Sequence, residues 1–301
     1  MGKRFLYAFA GLVVAYVAIV MLTPTDPNVL ARYDLSQASA RLLNLTVIVP
    51  LVVIWAAAFY GFSRIKNYAE SLQGSTDAKP FHTLSDGLMV LVMSFPLTSA
   101  TSAALSYLAV KNPDLVPTVT ITRNYLNVAF ALVAFYLIGK GAEALARPVK
   151  KKAAAFDHQI WTISFIVLSS LFAWLVVSHH TGADAGSVVY HLPDWLLVLS
   201  LVIPYLYVWY RGMVAVYCLG YYQKKVRGIL YKQALQYVSA GIAVVVATSI
   251  FIQFLTVFGE RLNRLDLTPV LLLVYLLVVF YALGYGLIAK GARRLKKIED
   301  A

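Results

Sequence analysis

Arg211 is the charged residue that stands deepest within an apolar stretch of this sequence. A charge at membrane depth is costly and is therefore a candidate functional residue. Aromatic residues flank it, and Tyr207 and Tyr210 precede it by four residues and by one. We expect no acidic partner at that depth. One possibility is that the guanidinium extends to the inner headgroups while aromatic rings stack on the aliphatic part of its side chain. The other is that it binds an anionic lipid or substrate group.

Hydroxyl side chains at helical spacing form a second polar set. Ser94, Thr98 and Ser102 recur every four residues, which places them on one helix face. A later apolar run keeps part of this character in Thr248 and Gln253. Such residues permit close packing and hydrogen bonds between helices. The alternative is a polar pathway, which predicts a polar seam between the third and seventh apolar runs.

Four residues with metal-ligating side chains cluster in one segment that contains no Lys or Arg, namely His179, His180, Asp184 and His191. Imidazole and carboxylate are suitable ligands for zinc or a similar metal. Their spacing matches no metal motif. They are either solvated loop residues, or a metal site or proton sensor near neutral pH.

Pro50 and Pro204 each lie inside an apolar run. Proline lacks the backbone donor of a regular helix, so each residue should bend or loosen its helix. The bend either serves packing alone or acts as a hinge. In the second case the backbone carbonyl that has lost its helical donor binds a ligand.

Several kinds of chemistry have no motif in this chain. The sequence has no nucleophile elbow, phosphate-binding loop, zinc-protease motif or dinucleotide fingerprint. Cys218 is the single cysteine, so the chain can form no internal disulfide. We therefore expect a protein that is not an enzyme and that needs no cofactor.

The elements that position these residues follow from composition. Of 301 residues, 60% are hydrophobic and 13% are charged, whereas soluble domains carry about a quarter charged residues. Lipid is the solvent that suits such a chain. Runs long enough to cross a bilayer as helices lie at about 5–22, 42–62, 87–110, 125–145, 160–178, 194–221, 236–258 and 268–290.

The basic residues predict the orientation. Most of the 26 Lys and Arg residues fall in segments on the same side as the N-terminus, which places both termini in the cytoplasm. The net charge of +12 is therefore a topology signal. It predicts attraction to anionic inner-leaflet lipid rather than to nucleic acid.

An internal repeat organises the eight runs. Residues 137–145 and 287–295 share six of nine positions at a separation of 150 residues. Pro50 matches Pro204 and Trp55 matches Trp209 at a separation of 154. We call residues matched in this way equivalent positions. The pattern predicts two parallel four-helix repeats, 1–152 and 153–301.

The expected fold is thus an all-α polytopic membrane protein of eight transmembrane helices, located in the plasma membrane. The leading functional hypothesis is a small permease, or a binder of lipid or anionic solute, that uses the interface between the repeats. The rival is a membrane sensor or scaffold that acts through protein partners on its basic inner face. Either function is compatible with a homo-oligomer or a membrane partner.

Overall fold

The computed structural model describes residues 3–23, 25, 30–31, 33–72, 74–111, 116–146, 194–257 and 267–299, with residues 163, 166, 167 and 170. Seven long helices and no strand lie within these residues. The helices are α1 Lys3–Leu22, α2 Gln37–Ser71, α3 Ala78–Lys111, α4 Val116–Ala146, α5 Asp194–Lys225, α6 Ile229–Val257 and α7 Leu267–Glu299.

Six helices are long and apolar enough to cross a membrane, which confirms the all-helical class and is consistent with a polytopic membrane protein. The apolar part of α1, Leu6–Leu22, is shorter. The predicted run at 160–178 lies almost entirely outside the described residues. The number eight therefore stays a prediction. The six spans are Gln37–Ser71, Ala78–Thr101, Leu126–Ala146, Val202–Lys225, Ile229–Ser249 and Leu267–Leu295.

The ends of several helices have local causes. Ser36 caps α2, since its hydroxyl oxygen accepts a hydrogen bond from the Ser39 amide at 3.1 Å. Between α2 and α3 the chain passes through Gly74 with a φ of 89°, and between α5 and α6 through Gly228 with a φ of 106°. Glycine adopts this left-handed conformation without a steric penalty. Both turns are therefore tight.

The helices from α2 to α7 form a closed ring. Each packs against the next in the chain, and α7 packs back against α2. The first helix, α1, lies outside this ring against α3 and α2. Its Phe9 stacks on Phe59, and its Tyr16 meets the edge of Trp55.

Side-chain exposure separates the ring's core from its outer surface. Ile65 and Leu219 are fully buried, whereas Val53 and Leu272 are 64% and 69% exposed. Large aliphatic side chains on the outside of a helical bundle suit contact with acyl chains rather than water. The exposed face is thus the one that a bilayer would cover.

Glycines bring α3 and α4 into close contact. A Cβ atom added at Gly87 would lie 2.7 Å from the Ile138 amide nitrogen. One added at Gly141 would lie 2.6 Å from the Leu84 amide nitrogen. The two backbones can approach this closely only because both positions lack a side chain.

Glycines also bring the backbones of α6 and α7 into close contact. A Cβ atom at Gly241 would lie 2.6 Å from the Gly284 carbonyl oxygen and 2.9 Å from the Ile288 amide nitrogen. One at Gly291 would lie 3.0 Å from the Val238 amide nitrogen. Gly241 and Gly291 are the positions equivalent to Gly87 and Gly141, and their contact partners Ile288 and Val238 are equivalent to Ile138 and Leu84.

The hydroxyl residues do not form the expected polar seam by direct packing. Helices α3 and α6, which carry them, are not neighbours in the ring. Ser94, Thr98 and Thr248 donate hydrogen bonds to carbonyl oxygens of their own helices at 2.7, 2.8 and 2.7 Å. The side chains of Ser102 and Gln253 lie outside the described part of the structure.

Candidate functional site

Arg211 pairs with an acid, so the expectation that it lacks an acidic partner was wrong. Its Nη1 and Nη2 atoms donate to Oε1 and Oε2 of Glu143 at 3.1 and 3.2 Å. Such two-pronged pairing is the strong form of an arginine–carboxylate contact. Glu143 belongs to α4 and Arg211 to α5, so the ion pair joins the two halves of the chain.

Two residues of α4 shape the space around the guanidinium. Gly139 leaves room for it, since a Cβ atom there would lie 2.8 Å from Nε and 3.0 Å from Cζ of Arg211. The Tyr136 ring centroid lies 5.6 Å from Cζ, and the Tyr136 carbonyl oxygen accepts from Nη2 at 3.4 Å. Sequence reasoning expected Tyr207 and Tyr210 here. The structure places the ring of Tyr136 beside the guanidinium as a cation–π partner, and a role for Tyr207 and Tyr210 stays a prediction.

The two charges differ in their access to solvent. The Arg211 side chain is 10% exposed and the Glu143 side chain 33%. The Nε atom of Arg211 is buried and has no hydrogen-bond partner among the residues that the structure describes. A buried guanidinium with one unused donor is costly. Packing of the described helices therefore leaves part of the cost of burying this charge uncompensated.

The equivalent interface, between α7 and α2, is built without this pair. Ala57 stands where α5 has Arg211, and Arg293 stands where α4 has Glu143. Packing there relies on small residues, since a Cβ atom at Gly61 would lie 3.2 Å from the Ala289 Cα. Close helix contact at this position thus does not require a charge pair.

The sequence contains a signal for the pair that the spacing argument did not use. The two copies of the nine-residue repeat differ in charge sign at Glu143 and Arg293. Elsewhere the two halves also differ in charge at the equivalent positions Arg211 and Ala57. Other equivalent positions also differ in charge, such as Ala144 and Arg294, so this signal by itself does not identify which two residues meet.

A cluster of aromatic residues closes one end of the ring across the two halves. The Tyr222 hydroxyl donates to Oδ2 of Asp77 at 2.8 Å. The Tyr231 ring meets the Tyr222 ring edge-on with centroids 6.4 Å apart, and the Tyr68 ring at 6.2 Å. Tyr68 also meets the edge of Phe81. The α2–α3 and α5–α6 turns therefore lie at the same end of the molecule.

The remaining predicted residues are placed as follows. Pro50 and Pro204 lie inside α2 and α5, as expected, and a third proline that the sequence reading passed over, Pro96, lies inside α3. The hinge role of the first two stays a prediction. Tyr207 is exposed and Tyr210 half-buried. The predicted metal-binding residues His179, His180, Asp184 and His191 lie outside the described residues.

No family model matches the chain, and no curated protein or solved structure is significantly similar to it. The class is therefore defined by the fold and the site alone. The molecule is an all-helical protein whose six apolar helices are consistent with a polytopic membrane protein, with a charge pair between two neighbouring helices of its ring.

Proposed function

We propose that the chain is a tandem duplication whose halves, 1–152 and 153–301, face the same way. Three observations support this proposal. The two glycines with positive φ, Gly74 and Gly228, are equivalent positions. The glycine contacts between α3 and α4 recur at equivalent positions between α6 and α7. Ser85 and Ser239, again equivalent, are both buried.

Both turns would then face the cytoplasm of a cell whose plasma membrane holds the protein. A cysteine placed at Ser75 and one placed at Arg227, in a Cys218→Ala background, should react with a membrane-impermeant thiol reagent only after the membrane is opened. The reason is the excess of Lys and Arg on that side. Reaction of either cysteine in sealed cells would contradict the proposed orientation.

The function that this site supports best is binding of an anionic lipid or solute by Arg211 between the halves, as in a small permease. The supporting observation is the buried guanidinium with an unused Nε donor at one interface, whereas the equivalent interface has Ala57 in place of Arg211 and, among the described residues, no such charge pair. Burying the Arg211 charge costs free energy, and close packing of the two helices does not require that charge. We therefore expect Arg211 to serve a role other than packing. Recognition of an anion is the role for which a guanidinium is best suited.

Glu143 would act as a placeholder for that anion. Its carboxylate occupies Nη1 and Nη2 of Arg211 while a third of its side chain remains exposed. An incoming anion can take those donors while the carboxylate turns toward water, so the protein exchanges one charge pair for another. Lys140, whose Nζ lies 5.5 Å from the Tyr136 ring centroid, adds a second cation beside the same ring. Opening of the α4–α5 interface would expose the site.

The proposal predicts opposite effects for the two partners. Protein with Arg211→Ala should retain roughly tenfold less of a co-purified anionic lipid or metabolite than wild type, because charge-assisted hydrogen bonds are lost. Glu143→Gln should retain more, because the competing carboxylate is neutralised. Quantitative mass spectrometry of the purified proteins, at matched folded fraction, measures both.

Arg293→Ala is the matched control, because it removes a cation at the position equivalent to Glu143 on the other interface. It should leave the bound anion unchanged. Equal retention by wild type and Arg211→Ala would refute the role of Arg211. If both Arg211→Ala and Glu143→Gln lower the amount of retained anion, the ion pair has a purely structural role.

The rival function, a non-transporting sensor or scaffold, is favoured by the exposed basic turn of Lys224, Lys225 and Arg227. Exposed cations at one end of the bundle suit an acidic partner. Neutralising these three residues separates the two functions, since it would abolish partner capture while leaving the anion at Arg211 in place.

A further inference from the structure

A groove of about 470 Å³ lies between α1 and α2, away from the charge pair. Helix α2 lines it with one continuous face, whose members are spaced alternately by three residues and by one: Ala56, Phe59, Tyr60, Ser63, Arg64 and Asn67. This spacing places all six on the same side of a helix. Leu6 and Phe9 of α1 form the opposite wall.

The groove changes character along its length. Ala56, Phe59 and the α1 residues make one part apolar, and Ser63, Arg64 and Asn67 make the other part polar. Arg64 lies over the Tyr60 ring, with its Cζ 5.1 Å from the centroid. No ion pair of Arg64 with a carboxylate is found among the described residues, so none of their acids neutralises it.

Asn67 supplies a second, independent indication of a ligand. Its Oδ1 atom is buried and accepts no hydrogen bond. Buried acceptors in folded proteins are almost always satisfied, because burying one without a hydrogen-bond donor is costly. Within the described part of the chain, the groove therefore ends at Arg64, which has no counter-ion, and at the Asn67 oxygen, which has no hydrogen-bond donor.

The position of these residues along α2 matches the edge of the acyl layer. The apolar run ends near residue 62. Helical rise puts Arg64 about 3 Å beyond that point and Asn67 about 8 Å beyond it. The apolar part of the groove thus lies at acyl-chain depth and the polar part at headgroup depth.

We propose that this groove binds one phospholipid whose headgroup carries a hydroxyl, of the phosphatidylglycerol type. The phosphate lies on the Arg64 guanidinium, a headgroup hydroxyl donates to Oδ1 of Asn67, and an acyl chain occupies the space between α1 and α2. Assignment to the cytoplasmic leaflet rests on the proposed orientation, whereas the binding itself does not.

Three lipids test this assignment on the full chain by native mass spectrometry from detergent. Phosphatidylglycerol offers both phosphate and hydroxyl, phosphatidylmethanol offers the same singly charged phosphate diester without a hydroxyl, and phosphatidylcholine has no net charge and no donor. Wild type should form a one-to-one adduct with phosphatidylglycerol. Arg64→Gln should weaken both anionic adducts roughly tenfold, as loss of charge-assisted hydrogen bonds predicts. Asn67→Leu should weaken only the phosphatidylglycerol adduct.

Two further variants serve as controls. Lys66→Gln removes the same charge two residues away, outside the groove lining, and should leave the adducts unchanged. Ala56→Phe should fill the apolar part and abolish binding of both anionic lipids. Equal losses in Lys66→Gln and Arg64→Gln, equal binding of phosphatidylcholine, or detergent as the sole occupant would each overturn the assignment. Arg211→Ala should keep this adduct, so failure here and failure at Arg211 give different patterns.

Discussion

Glu143→Gln should destabilise the protein by about 2–3 kcal/mol, somewhat below the ~3–5 kcal/mol for breaking a fully buried ion pair. The cost comes from Arg211, which keeps its charge in a site where its side chain is 10% exposed. The expected loss of stability is smaller than for a fully buried pair because the Glu143 side chain is 33% exposed. Solvent therefore already screens part of the interaction.

The two single replacements should therefore differ. Arg211→Gln leaves a carboxylate that can turn toward water, so we expect a loss of only about 1 kcal/mol. The double replacement Arg211→Leu with Glu143→Leu should lie close to wild type, because well-packed apolar residues commonly substitute for a buried pair without loss. Thermal unfolding in one detergent, followed by tryptophan fluorescence, ranks the variants.

The order of these variants is the critical result. If Arg211→Gln destabilises as much as Glu143→Gln, the guanidinium is better solvated than its burial implies. If the double leucine variant is the least stable of the three, the pair contributes net stability. In that case burial of Arg211 carries no net cost, and the support for anion binding at Arg211 is lost.

Gly241→Ala should destabilise the protein by about 2–3 kcal/mol, the upper part of the range for overpacking a tight core. The added Cβ would meet the Gly284 carbonyl oxygen at 2.6 Å and the Ile288 amide nitrogen at 2.9 Å. Both are backbone atoms, which cannot move aside as a flexible side chain can. Helices α6 and α7 must separate to admit the methyl group.

Gly286→Ala is the matched control on α7, since no atom lies within 4 Å of a Cβ added there. It should be neutral or stabilising by up to about 1 kcal/mol, because alanine is the better helix former. Gly87→Ala should lose about as much as Gly241→Ala if the halves are copies. Thermal unfolding of the three variants is the measurement, and a loss in Gly286→Ala equal to that in Gly241→Ala would show that the glycine contacts do not matter.

Much of the helical architecture could be predicted from residue types. Residues 42–62 and 268–290 were recognised by hydropathy, and the structure extends them to Gln37–Ser71 and Leu267–Glu299. The extensions carry charged and polar residues, such as Arg64 and Lys296, which hydropathy excludes. They form helix because no proline or glycine interrupts the backbone pattern between residue 62 and Ser71, or between Gly291 and Glu299.

The candidate site was predicted in part. Arg211 was identified from its position alone, because a charge inside an apolar run is conspicuous. Glu143, Gly139 and Tyr136 were not assigned to it. Each is unremarkable within its own helix, since a glutamate near a helix end or a tyrosine on a helix face has many ordinary roles. Their significance appears only when α4 and α5 lie side by side.

The sequence by itself determined the apolar helices that the structure describes, because backbone groups in a hydrocarbon layer must find their hydrogen bonds within the same segment. That requirement is local, so it can be read one run at a time. The tertiary structure alone decided that Arg211 meets Glu143, 68 residues away in the chain. Neighbour choice and helix rotation depend on how whole faces fit together, and small residues such as Gly139 set that fit through the side chains that they lack.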